Sequence, residues 1–160
     1  LRLGVYFLHM HSESRGSFRV ETWDESEFAH RPEGPVLRKA HVIKHYKGDI
    51  EGVGEVIYTF IYFNKSRARI YGLERFEGRI DDRHGSFVFE HTGEFENNIA
   101  DMTWSILPHS GTDELSQLEG EVRFRSGMQE EYDIVLKHGL RKEHHLFKKL
   151  LERRSDTSRA

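Results

Sequence analysis

The sequence predicts an all-β fold, an antiparallel meander of about eight strands. Two observations predict it. Apolar and polar residues alternate with period two in segment after segment between Gly16 and Leu136, and short polar or glycine-bearing stretches separate those segments. A third agrees: 36% hydrophobic against 32% charged residues suits a single sheet layer with one wet face better than a helical bundle.

The first strand spans Gly16 to Trp23, with Phe18, Val20 and Thr22 opposite Arg19 and Glu21. Asp24 to Pro35 holds two of the three prolines and reads as a long loop. Val36 to Lys47 is a second strand with Leu37, Lys39, His41, Ile43 and His45 on one face. After a Gly48-Asp49 turn, a third strand runs from Ile50 to Phe63 and is apolar on both faces. Such a strand asks for cover on its outer side, from a second subunit or from the tail of the chain.

The clearest stretch is Ile70 to Phe95, a hairpin around Asp81-Asp82-Arg83-His84-Gly85. Ile70, Gly72, Glu74, Phe76, Gly78 and Ile80 share one face of its first strand, and Phe87, Phe89, His91, Gly93 and Phe95 one face of its second. Each apolar face thus carries one ionisable group, Glu74 or His91. Beyond Asn97-Asn98, Met102, Trp104 and Ile106 continue the alternation to Pro108. In His109 to Leu118, Thr112 or Asp113 is placed to cap a single helical turn that turns Leu115 and Leu118 inward. Glu119 to Arg125 and Tyr132 to Leu136 supply the last two strands.

Three segments follow: residues 1–15 as a leader or cloning remnant of poor order, 16–138 as the β domain, and 139–160 as a tail. In the tail, Phe147, Leu150 and Leu151 recur at helical spacing among Lys and Arg, which predicts an amphipathic helix within Leu140 to Arg154. That helix packs on the β domain or a partner subunit, or else offers a basic face.

Composition excludes several chemistries. The formal net charge of −3 gives no reason to expect nucleic acid or an anionic membrane as partner. The absence of cysteine removes disulfides, thiolate metal sites and cysteine nucleophiles, and fits the cytoplasm as the default location. Among eleven histidines, His41 and His45 are four apart on a strand, roughly 13 Å, too far to share an ion. No metal or cofactor is expected. Gly52-Val53-Gly54 precedes a strand rather than a helix, so it is no phosphate loop; glycines there allow strong coiling or leave room inside. No Gly-x-Ser-x-Gly elbow occurs.

What remains is acid–base chemistry inside a cavity. Glu74 is expected to have a pKa raised by desolvation and His91 one lowered by it, a pair able to move protons near neutrality. The plainer alternative is a buried pair that only satisfies itself, with Arg75 or Lys39 as the partner of Glu74. Tyr58, Phe76, Phe89, Trp104 and His41 are the candidate ligand-binding side chains, Tyr58 and Trp104 as walls or as plain core.

The ordered segments GDIEGVGEV, YGLERFEG, HGSFVFEHTGEFE and MTWSILPHSGTDELSQLEGEV, after the opening Phe18, Val20, Trp23, Asp24 and Glu25, resemble a bacterial domain-of-unknown-function family with an allene-oxide-cyclase-like barrel. The similarity covers about Phe18 to Leu136. Asp113 departs from it, standing where a glycine commonly follows Ser-Gly-Thr. The resemblance implies an eight-stranded antiparallel barrel, lipocalin-like in shape, with a central cavity and frequent oligomers. Three functions are then open: binding of a small apolar or amphipathic molecule, a cofactor-independent isomerase or cyclase using Glu74 or His91, or a homo-oligomeric interaction module.

Overall fold

The computed structural model describes residues 12–141 together with 153–154. Alternation becomes eight strands: β1 Ser12–Glu27, β2 Val36–Gly48, β3 Ile50–Asn64, β4 Arg67–Ile80, β5 Arg83–Glu96, β6 Ile99–Ile106, β7 Leu118–Ser126 and β8 Tyr132–Leu140. Each pairs antiparallel with the next, and β8 pairs back onto β1, so the sheet closes into a barrel. Closure leaves the barrel no free edge. It also gives the two sets of alternating side chains opposite fates, one inside and one in water.

The inner set follows the hairpin's apolar faces: Ile70, Glu74, Phe76 and Ile80 on β4 and Phe87, Phe89 and His91 on β5 are all buried. The β4–β5 turn is tighter than expected, Asp81-Asp82 alone, because Arg83 already pairs with Ile80. Between β6 and β7, Asp113–Leu115 forms a single 3-10 turn. Leu115 is fully buried, as expected, but Thr112 does not cap the turn through its side chain; its hydroxyl accepts the Ser86 amide instead. Asp113 stands at φ 51°, a conformation that glycine adopts freely.

Two expectations of register fail. A bulge between Val20 and Thr22 flips the parity of β1, so Trp23 rather than Thr22 turns inward, stacking at 6.0 Å on Tyr58. On β2 the inward set is Ala40, Val42, Lys44 and Tyr46, all buried. His41 therefore points outward, where it bonds Glu55. β1 also extends at both ends: Ser12–Arg15 pair with β8 and Ser14 is fully buried, although they fall in the stretch read as leader. The predicted tail helix lies mostly outside the described residues. At the two ends of that stretch, which are described, Leu140 ends β8 and Arg153 and Arg154 are helical.

The two barrel ends differ. At one, Ile50, Ile80, Leu115 and Leu136 close the interior. At the other, reached by the β3–β4, β5–β6 and β7–β8 turns, the interior stays open.

Candidate functional site

A cavity of about 500 Å³ occupies the open half of the barrel. Its walls are aromatic and aliphatic: Phe18 from β1, Tyr58 and Phe60 from β3, Phe95 from β5, Trp104 from β6 and Phe124 from β7. The exposed side chains of Trp23 and Met128 stand at its mouth. Among the described lining residues, Lys44 is the one charged side chain.

Lys44 reaches the inside because β2 places it in phase with Ala40, Val42 and Tyr46. Only 3% of its side chain is exposed. A buried ammonium needs a counter-charge, and β4 supplies it: Nζ donates to Glu74 Oε1 at 3.1 Å and to the Tyr58 hydroxyl at 3.1 Å. Three aromatic rings flank it, with Trp104 and Phe18 centred 4.2 and 4.7 Å from Nζ and Tyr58 5.6 Å away.

Glu74 is completely buried and accepts three hydrogen bonds: from Lys44, from His91 Nε2 at 2.8 Å, and a very short one from the Tyr46 hydroxyl. Two glycines make the space. A Cβ at Gly54 would lie 2.1 Å from Glu74 Oε2, and one at Gly72 would lie 2.6 Å from the Tyr58 ring. His91 Nδ1 faces the Tyr58 hydroxyl at 3.2 Å. One proton arrangement satisfies every contact. His91 is neutral with its proton on Nε2, Tyr58 donates to Nδ1, and Tyr58 accepts from Lys44.

Electrostatics agree with that arrangement. Burial by itself would raise the Glu74 pKa, but Lys44, His91 and Tyr46 outweigh it and hold the carboxyl at about 2. This reverses the expectation from desolvation alone. Burial dominates at His91 and lowers it to about 4, against the pull of Glu74. For Lys44, burial opposes the charge, yet Glu74 and Tyr58 keep its pKa above the ordinary value. Burial and the Glu74 charge push Tyr46 well up, and burial raises Tyr58 despite Lys44. Near neutrality the cluster is thus one anion, one cation and three neutral groups.

The predicted site residues divide into four sets. Glu74 and His91 meet inside the barrel, but beneath the cavity floor rather than on its wall. Tyr58 and Trp104 line the cavity. Phe76 and Phe89 are buried with Phe87 in the filled half, ring centroids 5.0 and 4.8 Å from it, so they are core. His41 is outside. The partner sought for Glu74 is neither Arg75 nor Lys39, which are both exposed, but Lys44. Lys44 and Tyr46 escaped the sequence reading, although their parity with Ala40 and Val42 was the available signal. Among the described residues no group of three or more His, Asp or Glu side chains is placed to hold a metal ion.

Comparison with known proteins agrees with the barrel. Residues 14–137 match the family described as "Protein of unknown function (DUF3224)". The chain belongs to the DUF3224 family. A crystal structure of a DUF3224 protein of unknown function from Shewanella oneidensis MR-1 is similar to it, at 22% identity and a TM-score of 0.71. That match covers 81% of this chain and 97% of the other, and at such identity it is a likeness of fold. No curated protein matches this DUF3224 chain.

Proposed function

We propose that this DUF3224 barrel binds a small, mainly apolar molecule in its open half. The observation that carries the reading is the cavity itself. About 500 Å³ of aromatic-walled space is left unfilled by side chains in a barrel whose other half is packed solid. Volume and lining both fall in the range of small-molecule sites, and mainly apolar walls with one polar anchor are their usual composition. The resemblance to allene-oxide-cyclase-like barrels supports the reading by analogy of shape. A cysteine-free chain supports a cytoplasmic setting for it.

The isomerase or cyclase alternative requires a ligand to touch Glu74 or His91. Glu74 and His91 lie under the floor with their hydrogen bonds already made, so binding is the reading the geometry favours. A thermal-shift and native mass spectrometry screen against lipids and oxylipins tests it. A ligand at a hundred times its Kd should raise Tm by about 5 °C or more. Ala100→Phe, which fills the lining from β6, should abolish both the shift and the mass adduct. If no compound in the screen shifts Tm or adds mass, the reading is wrong.

A further inference from the structure

The cavity floor also constrains the chemistry of whatever binds, and this inference rests on the binding reading above. The ammonium of Lys44 has three N–H donors. Two are used, on Glu74 and Tyr58; among the described residues no acceptor takes the third, and the ammonium stands on the cavity lining beside the Trp104 and Phe18 rings. The indole N–H of Trp104, another lining residue, is also buried without a partner. The carboxylate and imidazole acceptors of the cluster, by contrast, are engaged, Glu74 by three donors and His91 Nδ1 by Tyr58, and the Tyr58 oxygen already accepts from Lys44. At the inner end of the cavity the unfilled valences are therefore donors. A ligand seated there gains by bringing an acceptor and loses by bringing a hydrogen that finds no partner.

Charge narrows the choice further. Lys44 and Glu74 already neutralise each other at 3.1 Å. A carboxylate bound beside Lys44 would add an uncompensated negative charge to a buried, low-dielectric site, with Glu74 close behind it repelling it. A hydroxyl brings an acceptor but also a hydrogen with no acceptor to receive it. A carbonyl brings the acceptor alone. We propose that the buried end of the ligand is a neutral carbonyl oxygen, as in a ketone, aldehyde or ester, which accepts the third N–H of Lys44 while its apolar body fills the aromatic walls.

Four dyes built on one dimethylaminonaphthalene ring test this with the full-length chain. The first carries a propionyl ketone, the second the alcohol made by reducing it, the third a carboxylate, and the fourth no substituent. Their affinities are compared by fluorescence titration near neutral pH. The ketone should bind about ten-fold more tightly than each of the other three, the worth of one charge-assisted hydrogen bond. Its emission should shift as its carbonyl becomes hydrogen-bonded. In the double variant Lys44→Met with Glu74→Gln, which removes both charges together, the ketone's advantage over the bare ring should fall toward unity.

If the carboxylate or alcohol binds as well as the ketone, the inference is overturned, and the same holds if the advantage survives in the double variant. Should that variant fail to fold, the wild-type series decides alone. If the bare ring binds but the ketone binds no better, only this inference falls. If none of the four binds and the lipid screen is also negative, the binding reading falls with it.

Discussion

His91 is the residue whose ionisation couples most directly to acid. Its folded pKa of about 4 lies below the usual histidine value of 6.5, because burial penalises the imidazolium more than Glu74 rewards it. Between those values the unfolded chain holds a proton that the folded one refuses. Stability is thus fully present above pH 6.5 and is lost as pH falls towards 4, by on the order of 3 kcal/mol. Glu74, at about 2, adds a loss of the same sign only below its ordinary value of 4.5. Burial also lowers His138, which sits with Ser14 and Asp81 at the closed end and contributes the same sign. The urea midpoint should therefore fall steadily between pH 7 and 5. His91→Gln keeps a donor and an acceptor without titrating, and it should reduce that slope while leaving the part due to His138. A wild-type midpoint that is flat over this interval would contradict the assignment of a neutral His91. That Glu74 and His91 point inward was legible in the sequence, since each is in phase with Phe or Ile neighbours. The identity of their partner was not. Lys44 is separated from Glu74 by 30 positions, and only the pairing of both their strands with β3 brings the two together.

At the scale of the element, legibility followed how cleanly a strand alternates. β4 and β5 read correctly because most of their apolar residues share one parity, with Tyr71, Leu73 and Val88 the exceptions. β2 did not, because Leu37 and Ile43 on one parity compete with Ala40, Val42 and Tyr46 on the other, and the inner set includes a lysine. The bulge in β1 is a backbone event between Val20 and Thr22 that leaves no trace in residue type. Glycines in the strands were read as leaving room inside, and at Gly54 this can be tested. Its missing Cβ is the space that the Glu74 carboxylate and the Tyr46 ring occupy, at 2.1 and 2.9 Å from where a Cβ would stand. Gly54→Ala must displace one of them and strain the ion pair, at a cost of about 2–3 kcal/mol by urea denaturation. Gly127→Ala is the matched control. Its nearest contact would be Asn98 O at 3.5 Å, so it should change stability by no more than about 0.5 kcal/mol. Equal effects of the two would show that the room at Gly54 is not needed.

For the whole molecule, closure explains why a strand can be apolar on both sides. Val56, Tyr58 and Phe60 fill the barrel, whereas Ile57, on the outer parity of β3, is 51% exposed and pairs across the sheet with Leu73, 56% exposed. Tyr71, two residues from Leu73 on the same face, is 43% exposed. Three large apolar side chains thus form one strip on the outer surface of β3 and β4, the kind of patch that marks an interface. Charges border it in register, with Glu55 opposite Arg75. A two-fold axis through the strip would set Glu55 of one copy against Arg75 of the other, and we propose that this face pairs with a second copy of the chain. We therefore expect a homodimer in solution. Leu73→Lys puts a like charge on both sides of that axis, and it should give monomers by sedimentation velocity while the cavity still binds its ligand. A monomeric wild-type chain, or a dimer indifferent to Leu73→Lys, would show that the strip is simply exposed. Because the strip lies outside the barrel and the cavity inside it, assembly and binding are separable, and one protein preparation measured both ways decides whether either depends on the other.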